Sequence, residues 1–328
     1  MIKESFMGKT VEKKFLYEEA FEQAKNEVVR MLNKAPLIIR SYTRHLAAST
    51  GKGIRAASVI ACAMDEEGLV PENAIKLAVA IEILHLATLV HDDVIDDADI
   101  RRGELSLQKK FGRRTAVICG DYLVCMAMKI AVSAAEESEQ EDNMKFQMPD
   151  YMSRVCLGEL YQHINNGNVD LSVRQYLRIV SGKTAALFEA SFYAGAAFIE
   201  DDIRIVKKYA KLGRYVGMIF QLTDDCMDFE ESEETAKKPV QSDYEQNVIT
   251  LPLIYAFKKL ENFKNKAREC ILPRSEINEI VLQTGGLDYT RRIAREYYNK
   301  ALKLLQGMQL PQEKENKLKI ILDKSLRL

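Results

Sequence analysis

Residues 73–91 limit the possible folds more than any other segment of the chain. Their apolar side chains surround nearly the whole axis of a helix instead of forming one stripe. A helix that is apolar all round is normally buried, so this segment predicts a central helix packed among others. Apolar residues recur at helical spacing in seven further segments, residues 16–32, 113–133, 152–165, 173–197, 202–228, 247–260 and 289–305.

Signals for β-strands are nearly absent. No segment alternates polar and apolar residues over more than a few positions, and no hairpin signal occurs. The breaks between helices are short and acidic, at residues 135–142, 200–202 and 230–238, which is typical of loops and not of domain linkers. We therefore expect one all-α domain spanning residues 1–328, although this length also allows two domains.

The overall charge gives no support to some functions, although local charged patches remain possible. Lys and Arg number 47 against 48 Asp and Glu, a formal net charge of −1, which does not favour a general binder of nucleic acid or anionic membrane. The six cysteines form no CxxC pair and are expected to be reduced. The first thirty residues lack the apolar core of a signal peptide, and the longest run without Asp, Glu, Lys or Arg is 12 residues. These features predict a soluble, cytoplasmic protein.

Two aspartate clusters carry the strongest chemical signal. Both have the pattern D-D-x-x-D, with Asp92 and Asp96 in the first and Asp224 and Asp228 in the second. Residues four apart on a helix share a face, so each pair projects together. A single acidic run is often only a solvated helix end. Here each cluster ends an apolar helix, where carboxylates repel one another unless a cation holds them. Such oxygen ligands suit Mg²⁺, which also shares its coordination sphere with substrate phosphates.

Basic residues that could bind such phosphates are scattered along the chain. Each is more often an ordinary surface residue when taken alone. The segment Gly182-Lys183-Thr184 does not complete a nucleotide P-loop, because Leu177 stands where that motif needs glycine. The candidates are Lys52, Arg55, Arg101, Arg102, Lys183 and Lys238.

This combination of motifs resembles the trans-isoprenyl diphosphate synthases. The resemblance runs from about residue 51 to residue 255 and includes Gly120-Asp121, Gly158-Glu159, Phe220-Gln221 and Thr250-Leu251-Pro252. It implies a bundle of helices around a deep apolar cavity, of the isoprenoid synthase type, usually as a homodimer. It also implies a Mg²⁺-dependent prenyltransferase that joins an allylic diphosphate to isopentenyl diphosphate. We expect no nucleic-acid partner and at most a peripheral membrane contact for product release.

The resemblance also assigns roles to individual residues. Asp92, Asp96 and Asp224 are expected to bind Mg²⁺, with Asp228 completing the second motif. Arg101, Lys183 and Lys238 are expected to contact the allylic diphosphate, and Thr184 and Gln221 to lie near the developing cation. The site for isopentenyl diphosphate is implied to include Lys52, Arg55, His85 and Arg102. No protein general base is required, because the released diphosphate can accept the proton.

The sequence departs from the family pattern in two places. The usual G-G-K-x-x-R-P reads Thr50-Gly51-Lys52-Gly53-Ile54-Arg55-Ala56, which keeps both cations but loses the flanking Gly and Pro. The later G-K-x-T-L-P begins here with Asn247-Val248, so Val248 replaces a lysine that normally helps to bind the allylic diphosphate. The missing cation raises the alternative that the chain is a subunit of a heteromeric synthase.

Product length is expected to depend on the residues just before the first aspartate motif. In the family, side chains four and five positions before the first aspartate form the floor of the cavity. Here they are Thr88 and Ala87, both small, with Leu84 as the next possible stop. This predicts products longer than C20. The alternatives are a synthase of farnesyl or geranylgeranyl diphosphate and a class I terpene cyclase. The cations Lys52 and Arg55 and the second D-D-x-x-D disfavour the cyclase.

Overall fold

The computed structural model describes residues 13–48, 51–136, 148–230, 244 and 247–326; residues 136, 148 and 149 are described by their backbone only. In this part of the chain there are fifteen helices and four very short strands. The helices are α1 Tyr17–Asn33, α2 Arg40–Ala47, α3 Ile54–Cys62, α4 Glu72–Ile95, α5 Leu107–Phe111, α6 Arg113–Glu136, α7 Met148–Ile164, α8 Val173–Lys183, α9 Ala185–Ala196, α10 Ile203–Glu230, α11 Leu251–Lys259, α12 Glu261–Glu269, α13 Arg274–Thr284, α14 Gly286–Gln306 and α15 Gln312–Ser325. The expected all-α class is confirmed.

Helix α4 is the central helix that its apolar sequence predicts. It begins after Pro71, and its buried residues lie on every side of the axis. Helices α1, α3, α6 and α9 all pack against it, so no single stripe can face solvent. Burying apolar surface on all sides, at roughly 25 cal/mol per Å², makes α4 a main source of stability.

Residues 173–197 form two helices and not the single one expected. Helix α8 ends at Lys183, and α9 begins at Ala185, with Thr184 between them at φ −103° and ψ −50°. Helices α7 and α8 approach closely where Gly158 meets Gly182. A Cβ built on Gly182 would lie 2.9 Å from the Gly158 Cα, so neither position has room for a side chain. The continuous apolar pattern gave no sign of this break.

The structure contains a small hairpin that the sequence did not signal. Strands β3 (Ile100–Arg101) and β4 (Glu104–Leu105) pair antiparallel directly after the first aspartate motif. Arg102 and Gly103 form the turn with φ of 53° and 85°, the positive values that a two-residue hairpin turn requires. The other two strands, β1 (Lys14–Leu16) and β2 (Leu69–Pro71), pair antiparallel where α1 and α4 begin.

The buried side chains form two clusters that meet along α10. The larger one is built from α1, α3, α4, α6, α9 and the first part of α10. The smaller one combines α8 and the end of α10 with α11, α13 and α14. The single domain spanning residues 1–328 stays a prediction.

Two helices are long and apolar enough to cross a membrane by length and composition alone. They are α4 and the segment Arg113–Ala135 of α6. In α4 most of the apolar window is buried inside the protein, as expected of a core helix, whereas only 33% of the window in α6 is buried. Helix α6 therefore leaves an apolar face on the surface.

Candidate active site

The two aspartate motifs lie at the carboxyl-terminal ends of two long helices, α4 and α10. Asp92 is in the last turn of α4, and Asp96 follows its last residue, with the Asp96 amide donating to the Asp92 carbonyl at 2.8 Å. Asp224 and Asp228 lie in the last two turns of α10. The fold thus puts each motif where a long helix ends, as the sequence suggests.

A cavity of about 120 Å³ brings the two motifs together. Its lining includes Asp96 after α4 and Gln221 and Asp225 on α10. Lys183 and Thr184 also line it, because the break between α8 and α9 turns both residues toward the same space. Val248, which stands where the family has a lysine, lies in the same lining.

Lys183 is the principal cation beside the first motif. Its ammonium forms a salt bridge with Glu159 at 2.8 Å, and both side chains are largely buried. Burial raises the pKa of Asp92 to about 7, and the positive charge of Lys183 opposes that rise. Although burial lowers the pKa of Lys183, the charges of Glu159 and Asp92 raise it overall, so the lysine is protonated.

A chain of hydrogen bonds connects the break after α8 to the second motif. The Thr184 hydroxyl donates to the Gln221 carbonyl oxygen at 2.7 Å, and the Gln221 amide donates to Asp225 at 2.7 Å. The Tyr176 hydroxyl donates to the other oxygen of Asp225. Burial raises the pKa of Asp225 to about 7, while these two donors lower it. The side chains of Thr184 and Gln221 are therefore held in fixed orientations toward the cavity.

A second pocket, called the basic pocket below, lies between α1 and α4. It has a volume of about 140 Å³, and its lining includes Gly51, Glu82, His85 and Arg102. The nearby Arg55 guanidinium lies over the Phe188 ring at 4.4 Å, and its buried Nε has no hydrogen-bond partner. Burial, followed by the charges of Arg55, Arg102 and Arg101, lowers the pKa of His85 well below its usual value. A neutral His85 among three arginines can donate to an anion.

The remaining predicted residues occupy different environments. Lys52 is exposed beside the basic pocket, and Arg101 binds Asp93, with Nε 2.7 Å from the carboxylate. Lys238 lies outside the described residues. Asp224 and Asp228 are not among the lining residues of the 120 Å³ cavity, but their charges raise the pKa of Asp225. Ala87 and Leu84 are buried in α4, and the half-buried Thr88 hydroxyl donates to the His85 carbonyl at 2.8 Å.

The carboxylates suit Mg²⁺, as the sequence predicts, but they do not supply a complete coordination sphere by themselves. Among the described residues, no three His, Cys, Asp or Glu side chains are grouped closely enough to hold a metal ion. Mg²⁺ normally binds one or two carboxylates and completes its octahedron with waters and substrate phosphates, which is the arrangement that Asp92 and Asp96 allow.

Three residues of the site were missed from the sequence. Glu159 appears there only as part of a family landmark, although it holds Lys183. Asp225 is the middle aspartate of its motif, and Tyr176 gives no sequence signal because it lies 49 positions from its partner. Glu159 directly follows Gly158 in the landmark, but its salt bridge with Lys183 depends on the packing of α7 against α8.

Comparison with known proteins agrees with this geometry. A family model described as polyprenyl synthetase matches residues 36–284, more than half of the chain. A heptaprenyl diphosphate synthase component 2 from Geobacillus stearothermophilus is 34% identical over 297 residues, covering 89% of this chain and 88% of that one.

Solved structures show the same similarity. A heptaprenyl diphosphate synthase from Staphylococcus aureus is 30% identical, with a TM-score of 0.84 over 96% of this chain and 99% of that one. A polyprenyl synthase from Caulobacter crescentus CB15, in complex with calcium and isoprenyl diphosphate, is 26% identical, with a TM-score of 0.82 over 95% of each chain. The chain belongs to the polyprenyl synthetase family and is a trans-prenyltransferase acting on allylic and isopentenyl diphosphates.

Proposed function

We propose that this prenyltransferase uses Mg²⁺ to make a long-chain all-trans polyprenyl diphosphate, at the C30–C40 level. The observation that carries the proposal is the shared cavity, in which Asp96, Lys183 and Gln221 from three different helical segments surround one space. The names of relatives, among them heptaprenyl and octaprenyl diphosphate synthases, support a long product. The small side chains of Ala87 and Thr88 support it as well.

The reaction begins when the C–O bond of the allylic diphosphate breaks. The bonding electron pair stays with the diphosphate, and an allylic cation remains. The double bond of isopentenyl diphosphate then forms a C–C bond to that cation, and the proton lost afterwards goes to the released diphosphate. Mg²⁺ bound at Asp92, Asp96 and Asp224 would stabilise negative charge on the diphosphate as the bond breaks.

The residues of this chain fit the charge that develops in each step. Lys183 and Arg101 stabilise the departing diphosphate, mainly by electrostatic preorganisation. Thr184 and Gln221, held by their hydrogen bonds, present fixed dipoles near the allylic cation. Arg55, whose buried Nε lacks a partner, and neutral His85 position the diphosphate of the second substrate.

An assay with labelled isopentenyl diphosphate tests this proposal. Purified protein is given a series of allylic primers, in buffer containing Mg²⁺ or a chelator, and the dephosphorylated products are separated by chromatography. We expect Mg²⁺-dependent products of C30–C40. Products that stop at C15 or C20 would identify a short-chain synthase. A cyclic hydrocarbon formed without isopentenyl diphosphate would identify a terpene cyclase.

We also propose a cytoplasmic homodimer formed through α6 and α7. Several apolar side chains on these helices are exposed: Val117, Ile118, Met128, Val132, Leu157, Leu160, Tyr161 and Ile164. A heteromeric synthase is the second candidate, because two relatives are named as component 2 of a heptaprenyl diphosphate synthase. Full activity of the purified chain alone would support the homodimer. Activity only after addition of a second cellular component would support the heteromer.

A further inference from the structure

A groove on the outer side of α10 and α14 concentrates positive charge far from the aspartate motifs. It has a volume of about 330 Å³ and is bordered by Lys208 and Lys211 of α10 and by Lys300 and Lys303 of α14, with Tyr215 and Leu304 in its lining. We call this feature the basic groove. All four lysines are exposed, and within the described part of the chain none of them forms a salt bridge.

The surrounding sequence extends the positive charge. From its first residue to Tyr215, α10 carries five basic residues and no acidic one: Arg204, Lys207, Lys208, Lys211 and Arg214. Of these, Arg204 is paired with Asp202. On α14, Glu296 is the one acidic residue in the last three turns. The concentration is notable in a chain whose formal net charge is −1, because the potential of this face differs from that of the molecule as a whole.

The groove also has an apolar component. The Lys211 ammonium lies 5.9 Å from the centre of the Tyr215 ring, and the Lys300 ammonium lies 5.2 Å from that of Tyr297. The two tyrosine rings are in contact, with centres 5.9 Å apart. Lysines that surround aromatic and aliphatic side chains can bind an anionic headgroup while the apolar surface contacts the chain attached to it.

The position of the groove relates it to the proposed reaction. Lys208 precedes Asp224 by sixteen residues of one helix, a distance of roughly 24 Å along the axis. Helix α14 runs antiparallel to α10, because Arg291 pairs with Glu230 at the aspartate end while Lys300 and Lys303 lie beside Lys208 and Lys211. The groove is therefore at the end of the bundle toward which a product grows if its diphosphate is held at the aspartates.

We propose that the basic groove docks the protein on the surface of an anionic lipid bilayer. Lipid phosphates lie among the four lysines, and the part of the acyl chains nearest the headgroups contacts Tyr215 and Leu304. A duplex nucleic acid would need a longer basic track than this short groove offers. The inference rests on the proposed function in one respect, which is that a long apolar product leaves at the docked end.

Sedimentation with lipid vesicles tests the docking. The full chain is mixed with vesicles of phosphatidylcholine alone or of phosphatidylcholine with phosphatidylglycerol. We expect binding that rises with the phosphatidylglycerol fraction and falls with salt. The double variant Lys208→Gln/Lys300→Gln should bind about 30-fold more weakly, because each basic residue near an anionic surface contributes about 1 kcal/mol. The matched control is Lys258→Gln/Lys259→Gln, which removes the same charge from the exposed end of α11 and should bind as the wild type does.

Several results would overturn the docking. They are an absence of vesicle binding, equal binding to both kinds of vesicle, and equal loss of binding in the two double variants. Competition by free inorganic phosphate at constant ionic strength would indicate a phosphate site instead, and binding of RNA but not of vesicles would indicate a nucleic-acid surface.

The condensation assay separates this inference from the proposed function. Turnover of short primers in detergent should be the same in the wild type and in both double variants. Normal condensation without vesicle binding would contradict the docking alone. Vesicle binding without condensation on any primer would contradict the proposed function alone.

Discussion

Lys183 illustrates how the site balances its charge at the level of single residues. Its ammonium is bound to Glu159 and also acts on Asp92 and Asp96, so one cation serves three carboxylates. The sequence identified Lys183 and both aspartates but not Glu159, because a salt bridge between α7 and α8 depends on packing. The close approach at Gly158 and Gly182 brings those helices together.

The metal-binding role of the motifs leads to the first prediction. Asp92→Ala and Asp224→Ala should each lower turnover by at least about 10²-fold, the scale of losing a major electrostatic stabiliser. Thermal stability should not fall, since burial already raises the pKa of Asp92 and disfavours its charge. Steady-state kinetics and thermal melts check both effects. Asp99→Ala, in the same acidic run but on an exposed side chain, is the control, and near-normal turnover in either motif variant would refute the assignment.

Val248 leads to the second prediction. It lines the cavity together with Lys183, and the preceding Asn247 has φ of 61°, which fits a position where the family has glycine. Val248→Lys should therefore place an ammonium near the allylic diphosphate. We expect kcat/KM for that substrate to rise about 10-fold, or ~1.4 kcal/mol, as for a hydrogen bond to a charged group. Val248→Met tests the effect of a longer side chain without a charge. An equal gain in kcat/KM in both variants would exclude the electrostatic explanation.

The buried Lys314 leads to a prediction about pH. Its ammonium donates to the Met64 carbonyl at 2.9 Å, and burial lowers its pKa to about 8 from 10.5. Between these values Lys314 is protonated in the unfolded chain but not in the folded one, so this residue makes the free energy of unfolding rise with pH. Its contribution should be about 1 kcal/mol from pH 8 to 9, measured as the difference between wild type and Lys314→Met. Urea titrations of the wild type and of Lys314→Met check it. The variant should lack this rise, and parallel curves would contradict the assignment. Burial raises the pKa of the Cys62, Cys119 and Cys226 thiols, so their ionisation in the unfolded chain lowers the stability of both proteins over the same pH range. The predicted change is therefore the one in the difference between wild type and variant.

At the level of whole elements, hydrophobic periodicity predicted every helix longer than 14 residues but missed six others in the described part of the chain: α2, α3, α5, α12, α13 and α15. Helices α2 and α5 have eight and five residues, too few to show a repeat of the apolar pattern. The break at Thr184 has a different cause, since both sides of it are apolar and buried and the pattern continues through it. Tertiary packing directs Lys183 and Thr184 into the cavity, and local sequence preferences do not predict this orientation.

We expect side chains on one face of α4 to determine product length, and this gives the fourth prediction. Ala87 is fully buried, and Ala80, seven residues earlier on nearly the same face, is buried too. Ala87→Phe should shorten the product toward C15–C20 by filling the path of the growing chain. The larger ring should cost about 1–3 kcal/mol of stability, because this part of the core is packed.

Ala80→Phe is the matched control for Ala87→Phe. It introduces the same ring about 10 Å farther from the aspartates, so its product should be longer than that of Ala87→Phe. Chromatography of dephosphorylated products compares the two. An unchanged length distribution in active Ala87→Phe protein would place the floor of the cavity elsewhere.

At the level of the whole molecule, the sequence predicted the fold class and the chemistry better than it predicted which helix faces are exposed. The aspartate motifs could be recognised because their spacing is local. The apolar face of α6 could not be distinguished from the buried faces of α4, since both helices have the same mean hydropathy of 1.7. Only the packing shows that α4 is covered and that much of α6 is not.

This uncovered face gives the last prediction. If a second copy covers it, Ile118→Lys should convert the dimer to a monomer, because a charge placed at the centre of an apolar interface loses its hydration without gaining a partner. Ile118 is 59% exposed, so the substitution should leave the fold of the monomer intact. Light scattering coupled to size-exclusion chromatography measures the mass, and circular dichroism checks the folding. Ile320→Lys is the matched control, since Ile320 is also an exposed isoleucine, 46% accessible, but lies on α15. A wild type that is monomeric alone and gains mass only with a second cellular component would instead favour the heteromer, with the same face of α6 as the surface to test.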